Sequence, residues 1–312
     1  MDALDHLIEL AQIEGEIHTH CLFQGNWRAY QPSAVQNMGV FHIISRGECQ
    51  LFMQDQTLHL QEGDLIFLPT GDEHYIQSKD FQQSQAKQIE KTDEEKQAWQ
   101  LATNVVSQAD FEMFCGAFYY DKQSILFKIL PPFLHLSTRT PSLEKLIDLF
   151  RLEISQDKKQ LGGKSVINAL CAVLFCDILR QYMQDKTAQM GLLAGLQDKK
   201  LAPVIEHILE KPAFDWNMEN LAQLANMSRA NFIRVFQKIM AITPGKFLTQ
   251  IRMQQASMLL KSTQKNILAI ALDIGYQSEA YFSRAFKQHY GISPNRYRKG
   301  EQENKNNNAC KY

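Results

Sequence analysis

The segment His18-Thr-His20-Cys21 sets two imidazoles beside a thiol, and Cys115 supplies a second thiol farther along the chain. An imidazolium close to a thiol lowers its pKa and makes it easier to oxidise, so this grouping could do redox chemistry. In an extended strand His18 and His20 share one face while Cys21 points to the other, so the cluster works only if a turn intervenes. The competing reading is that a lone cysteine is a small buried hydrophobe. Two more imidazoles, His42 and His74, are candidate metal donors. As a pair they make a poor metal site by ligand count, and a structural role is the alternative.

A second set of chemistry-bearing residues recurs at an offset of 50 positions. Ser228-Arg-Ala-Asn-Phe-Ile-Arg-Val-Phe-Gln-Lys-Ile-Met-Ala-Ile-Thr-Pro244 lies over Ser278-Glu-Ala-Tyr-Phe-Ser-Arg-Ala-Phe-Lys-Gln-His-Tyr-Gly-Ile-Ser-Pro294. Upstream, Leu221-Ala-Gln-Leu-Ala-Asn226 matches Ile270-Ala-Leu-Asp-Ile-Gly275. Each copy reads as a short helix, a tight turn and a second helix. Asn226 and Gly275 are residue types that tolerate the positive φ of such a turn, and Ser228 and Ser278 suit the caps that follow. Phe232, Val235, Phe236 and Ile239 form an inward stripe, repeated by Phe282, Ala285, Phe286 and His289. The opposite faces carry Ala230, Ile233, Arg234 and Gln237 in one helix and Ala280, Ser283, Arg284 and Lys287 in the other, with Arg229 and Glu279 just inside the helix starts. A cation that forks to guanine, small residues that allow close approach, and amides or hydroxyls that read base edges are what a major groove receives. A solvated polar face explains one such helix, but not the joint recurrence of turn, cap, stripe, outward arginine and trailing proline.

The elements that must position these groups differ along the chain. Residues 15 to about 80 hold short alternating or apolar runs broken at Arg46-Gly-Glu, Gln54-Asp-Gln and Glu62-Gly-Asp, which predicts a β-meander closing into a small barrel or sandwich. Residues 84–108 are polar and read as a mobile insertion with a short helix near 94–102, and Phe111 to Tyr120 resumes the sheet. From Pro141 the period turns helical, with Leu143, Leu146, Ile147 and Phe150, then Val166, Leu170, Val173, Leu174 and Ile178, as a connector or dimer surface. Pro244 to about Lys261 reads as a rigid helix able to hold two recognition helices one DNA turn apart.

Charge is divided in the same way. From Trp216 to Gly300 there are 12 Lys and Arg against 3 Asp and Glu, leaving 21 against 31 elsewhere, although the whole chain of 312 residues nets −1. Only the C-terminal part therefore carries the footprint of a phosphate-binding surface. The six cysteines are scattered without a Cys-x-x-Cys pair, which reads as reduced thiols; Cys171 and Cys176 look like core positions on a helix. No secretory signal is evident and no apolar run approaches the ~20 residues that cross a bilayer, so the expected compartment is the cytoplasm, with no membrane partner.

The segment from about Ala202 to Arg298, with Ile270-Ala-Leu-Asp-Ile-Gly-Tyr-Gln-Ser-Glu-Ala-Tyr-Phe-Ser-Arg-Ala-Phe-Lys and Gly291-Ile-Ser-Pro-Asn-Arg-Tyr-Arg, resembles the DNA-binding domain of the AraC/XylS family. That resemblance implies a seven-helix all-α domain that binds promoters and usually activates transcription. One departure is Asn226, where many relatives have Gly; it can adopt the same turn. Gly63-Asp-Leu-Ile-Phe-Leu-Pro69-Thr-Gly71-Asp-Glu-His74 resembles the second motif of cupins, G-x5-P-x-G-x2-H. The first cupin motif has decayed: His42 remains, but Val40 stands where a second His would be, and Arg46 or Gly47 where a Glu would be. The opening Met-Asp-Ala-Leu together with Cys21 is similar to the reactive-chlorine-responsive members of the family.

The expected fold is α+β: a cupin-like sensor barrel over 1–135, a helical connector over 136–200, an all-α domain with two helix-turn-helix units over 201–300, and a disordered tail over 301–312. The expected function is that of a sequence-specific transcription regulator, an activator, responding to an oxidant or small molecule, with Cys21 and Cys115 as sensing residues. Expected partners are double-stranded promoter DNA, RNA polymerase and a second copy of the chain; no cofactor is expected apart from an optional barrel metal at His42 and His74. The alternatives are a cupin metal-dependent enzyme with a DNA-binding tail, disfavoured by the incomplete first motif, and an architectural DNA-binding protein without a sensor.

Overall fold

Turn glycines and apolar runs fix the strands of the N-terminal part. Gly47 and Gly63 take φ of 82° and 90° where the chain passes from one sheet to the other, a region that costs any other residue. The structure, a computed structural model, describes residues 2–34, 37–53, 56–86, 88–91, 99–105, 108–121, 123–137, 140–154, 161–184 and 191–300. It contains two compact units: Ile13–Lys122 with Leu130–Lys186, and Met1–Gln12 with Gln123–Ile129 and Thr187–Tyr312.

The first unit holds eleven strands among the described residues: β1 (Glu14–Phe23), β2 (Arg28–Gln31), β3 (Met38–Arg46), β4 (Glu48–Met53), β5 (Gln56–Gln61), β6 (Asp64–Leu68), β7 (His74–Ser78), β8 (Glu90–Lys91), β9 (Gln100–Thr103), β10 (Phe111–Tyr119) and β11 (Leu134–Ser137). They make a seven-stranded sheet in the order β11-β6-β3-β10-β1-β9-β8 and a four-stranded sheet in the order β2-β7-β4-β5. Phe23, Trp27, Ile44, Leu51, Ile66 and Phe111 belong to one buried cluster with Cys21 and Cys115. The other face of the larger sheet is covered by two helices of the same unit, α2 (Pro141–Ile154) and α3 (Gly163–Gln184): Phe67 and Phe118 meet Phe175 edge-on at 6.2 and 5.0 Å, and Phe114 meets Phe150 at 6.2 Å. With both faces covered, β3 and β6 read as near-continuous apolar runs rather than alternating ones.

The helices are α1 (Ala3–Ala11), α2 (Pro141–Ile154), α3 (Gly163–Gln184), α4 (Leu192–Gln197), α5 (Ala202–Glu210), α6 (Met218–Leu224), α7 (Arg229–Met240), α8 (Pro244–Ser262), α9 (Ile267–Asp273) and α10 (Glu279–Tyr290). In the second unit Phe232, Phe236 and Phe247 anchor one core around α6, α7 and the start of α8, and Phe282, Phe286 and Tyr290 anchor another around the end of α8, α9 and α10. Each helix-turn-helix thus has its own core, and α8 is common to both.

Several sequence expectations change. Residues 84–108 are not only an insertion: β9 pairs in parallel with β1, Thr19 against Gln100 through Leu22 against Thr103, and Ala102 is buried in the core. The helix expected near 94–102 is a strand from Gln100 onward, while 92–98 lie outside the described residues. The connector expected over 136–200 is divided, because α2 and α3 cover the large sheet whereas α4 packs with α5 and α7. The buried stripe of α3 is Ile167, Cys171, Leu174, Phe175, Ile178 and Leu179, which leaves Val166 and Val173 exposed. α3 is also long and apolar enough to cross a membrane by length and composition, contrary to the sequence expectation, yet its buried stripe packs on the sheet as a core helix does. Residues 1–12 and 123–129 belong to the second unit rather than to the barrel: Leu7, Leu10 and Ile125 are buried in its first core. The tail expected over 301–312 lies outside the described residues.

Candidate functional site

In the register of β1 and β10, Cys21 stands opposite Met113 and Thr19 opposite Cys115, so the two cysteines are diagonal neighbours on one face. Their Sγ atoms are 3.7 Å apart. The pairing shifts between Ile17 and Thr19, which leaves His18 as the extra residue of a β-bulge. Both His18 and Thr19 then line the same cavity as Cys21, something a regular strand forbids. His20 turns away, with Nε2 3.0 Å from Glu112 Oε1 and its ring stacked on Phe114 at 4.8 Å. The imidazole held against a thiol is therefore neither of the two near Cys21. It is His42, whose Nδ1 lies 3.1 Å from Cys115 Sγ.

Protons in this group can be placed by elimination. His74 Nδ1 lies 2.7 Å from the carbonyl oxygen of Asp72, so that nitrogen donates. Burial holds both His74 and His42 below the usual histidine pKa, so each ring is neutral with one donor and one acceptor. His74 Nε2 must then accept from His42 Nε2, 2.7 Å away, and His42 Nδ1 must accept from the Cys115 thiol. The Cys21 thiol completes the chain by donating to Cys115 Sγ. The hydrogen bond with Cys21 and burial push the Cys115 thiol well above its ordinary range, so Cys115 rests as a protonated thiol. A neutral base already faces the proton that Cys115 must lose in order to react.

These contacts bear on the metal reading of His42 and His74. The two rings spend a nitrogen on each other, and among the described residues no group of three or more His, Cys, Asp or Glu is arranged to hold a metal ion. The thiols instead line a partly open cavity of about 210 Å³. Its walls include Phe23, Ile76, Ala102 and Met113, and its rim carries Arg28 and Lys91. Cys49, by contrast, is raised far above the thiol range by burial, and Cys171 is pushed up to about 12 by the same cause, as expected of inert core cysteines.

Sequence reading missed Glu112, because nothing local marks it. Its carboxylate accepts hydrogen bonds from His20, Ser45 and the Arg151 Nε, the last at 3.1 Å from α2. Burial works against the charge, but the bonds from His20 and Ser45 and the Arg151 guanidinium outweigh it and bring Glu112 down to about 2.

In the second unit the turns form as read: Asn226 takes φ 51° and Gly275 φ 84°. Ser228 and Ser278 cap α7 and α10, accepting from the backbone N–H of Asn231 and Tyr281. Arg229, Ala230, Arg234 and Gln237 on α7 are exposed, as are Glu279, Ala280, Arg284 and Lys287 on α10. Ser283 and Ile233 are half-buried, and Ile233 also packs against the core. Arg229 is engaged with Glu219 of α6 at 3.1 Å. The outward arginines are each steadied by the residue three positions earlier: Arg234 donates to Asn231 Oδ1 at 2.8 Å, and Arg284 lies 6.0 Å from the Tyr281 ring centroid. Asn231 and Tyr281 occupy equivalent positions in the repeat and were not singled out from sequence. Their i, i+3 spacing was the available signal.

Comparison with known proteins bears on both parts. The cupin family profile matches residues 2–184, and a helix-turn-helix domain profile matches residues 221–300. An uncharacterized HTH-type transcriptional regulator of Haemophilus influenzae is 42% identical, over 96% of this chain and 99% of its own length. The HTH-type transcriptional regulator MtrA of Neisseria gonorrhoeae is 36% identical over 96% and 98% of the two chains. The RCS-specific HTH-type transcriptional activator RclR of Escherichia coli is 26% identical over 96% and 97%. With paired helix-turn-helix units behind a strand-rich cupin domain, and relatives that share this arrangement end to end, the chain belongs to the AraC-type family of DNA-binding transcription regulators.

Proposed function

We propose that this regulator senses an oxidant through Cys21 and Cys115 and activates transcription when they are oxidised. The observation that carries the reading is the 3.7 Å dithiol lining an accessible cavity, with a neutral imidazole on Cys115. Cys115 loses its proton toward His42 and attacks a two-electron oxidant such as hypochlorous acid, giving the sulfenic acid and chloride. Cys21 then displaces the sulfenic oxygen as water and forms the disulfide. The Escherichia coli relative, an RCS-specific transcriptional activator, supports that class of oxidant and that sign of regulation.

Diagonal strand neighbours have Cα atoms about 7–8 Å apart, whereas a disulfide accepts about 4.4–6.8 Å, so closing this one draws β1 and β10 past one another. Both strands are continuous with segments of the second unit: β1 follows α1, and β10 runs on to 123–129. Those segments are fastened to α8, the helix shared by the two DNA-reading units. Gln12 Nε2 donates to Ser257 Oγ at 3.2 Å, and Gln254 Nε2 donates to the Gln123 carbonyl at 3.2 Å.

The working form is a cytoplasmic homodimer on promoter DNA that recruits RNA polymerase. Exposed Leu149, Val166 and Val173 on α2 and α3 support that helical surface as the dimer contact. Val173→Glu should turn the dimer into a monomer in light scattering; an unchanged mass would remove this surface from consideration.

The sensing role is tested by oxidant-induced reporter expression in wild type, Cys21→Ser and Cys115→Ser, with thiol labelling alongside. Both variants should lose induction while binding DNA in the reduced state. A normal response in either would make the thiols structural and turn attention to a small organic effector in the cavity.

A further inference from the structure

We infer that the reduced Cys21 and Cys115 thiols form a binding site for a soft monovalent metal ion of the copper(I) class. The inference rests on the reading of this pair as the sensing element, but it needs no oxidant.

The donor set selects the ion. Two sulfurs converge 3.7 Å apart, and the lack of a third donor in ligating geometry among the described residues argues against zinc, which in protein sites takes four ligands, and against the hard divalent ions, which take six or more oxygens. Thiolates favour soft d10 ions, and a monovalent one is satisfied by two of them. With metal–sulfur bonds of about 2.3 Å the observed separation already admits a bent arrangement, and widening by less than ~1 Å gives a linear one. A disulfide needs the opposite, closure to about 2.05 Å across a diagonal register that resists it. The metal is thus the occupant that asks less of the backbone.

Access and charge agree with that choice. Both cysteines line the partly open cavity, so an ion has a path to them. Binding exchanges two thiol protons for one cation, releasing two protons and leaving one net negative charge. His42 Nδ1 is placed to receive the first of those protons from Cys115. Lys91, on the rim of the same cavity, is within electrostatic reach of Cys115 and balances the charge that remains.

The test is anaerobic titration of the full-length reduced protein with copper(I) against bicinchoninate. Silver(I) serves in parallel as an ion that does not cycle between oxidation states. We expect one ion per chain, an affinity at least tenfold weaker in Cys21→Ser and in Cys115→Ser, and no change in Cys171→Ser, with circular dichroism verifying that each variant is folded. Wild type oxidised by diamide should lose the ion, which tests the pair without any substitution. Copper left entirely on bicinchoninate, or retained equally by both serine variants or by the oxidised chain, would overturn the site. The sensing reading fails by a different result, a normal oxidant response of Cys21→Ser or Cys115→Ser in the reporter assay, so the two can be judged apart.

Discussion

Glu112 shows how a single side chain can hold several elements. It lies on β10, yet its partners come from β1 (His20), β3 (Ser45) and α2 (Arg151), so one carboxylate ties two neighbouring strands and a covering helix to its own strand. Because its pKa is depressed in the folded protein to about 2, the stability it contributes is fully present above the ordinary glutamate range near 4.5 and is lost as pH falls through about 2. Thermal unfolding of the wild type followed from pH 6 to pH 2 should therefore show a loss between about 4.5 and 2 that Glu112→Gln lacks. At neutral pH that variant should be less stable by about 1–3 kcal/mol, since Arg151 loses its buried carboxylate partner and keeps only the exposed Asp148. Equal pH slopes in the two proteins would mean that the carboxylate is not the group being titrated.

At the scale of elements, the recognition helices combine exposure with restraint. Arg234 and Arg284 occupy equivalent positions on α7 and α10, and Asn231 and Tyr281 hold their guanidinium groups by different means. Pre-positioning lowers the side-chain entropy that a guanidinium fork loses on binding. Arg234→Ala and Arg284→Ala should each cost about 1–3 kcal/mol in DNA affinity and relax preference at separate base positions. Uniform weakening on all sequences in both variants would instead identify phosphate clamps. These helices were legible in the sequence because turn, cap and stripe are local features that recur at one spacing. The strands β3 to β6 were legible for the same reason, with glycine turns at 47 and 63. They divide between two sheets instead of forming the expected meander, and only β4 and β5 pair as consecutive strands. The placement of β9 beside β1, the bulge at His18 and the approach of His42 to Cys115 were not, since each depends on pairing between distant segments. The stripe of α3 was read one step off around the helix because apolar residues occur on every side of it, which leaves no single phase for periodicity to pick out.

At the scale of the whole molecule, the proposed chemistry at two sulfurs would have to reach the DNA-reading units, and chain connectivity narrows the routes. The chain crosses between the two units after Gln12, Lys122, Ile129 and Lys186. The first crossing continues into the strand of Cys21, and the second leaves the strand of Cys115. Sequence reading assigned residues 1–12 to the barrel and did not mark α1 as a helix, although Asp2 and Asp5 form a reciprocal capping box at its start. Its tertiary partners carry no local signature: Leu7 is fully buried in the core that also holds Phe232, Phe236 and Phe247. If strand movement is passed on through α1, loosening that anchor should separate sensing from DNA binding. Leu7→Ala leaves the thiol pair and the recognition helices intact and weakens the anchor by about 2–5 kcal/mol. Reduced and oxidised wild type should differ in promoter affinity by about 5–150-fold, the usual range of allosteric coupling. In Leu7→Ala that ratio should fall toward one while the disulfide still forms and the reduced protein still binds DNA, whereas Leu7→Met, which conserves volume, should keep it. Hydrogen exchange over residues 3–11 would verify that the anchor has loosened; an undiminished ratio alongside rapid exchange there would exclude α1 as the route and leave 123–129 or α4 to carry the signal.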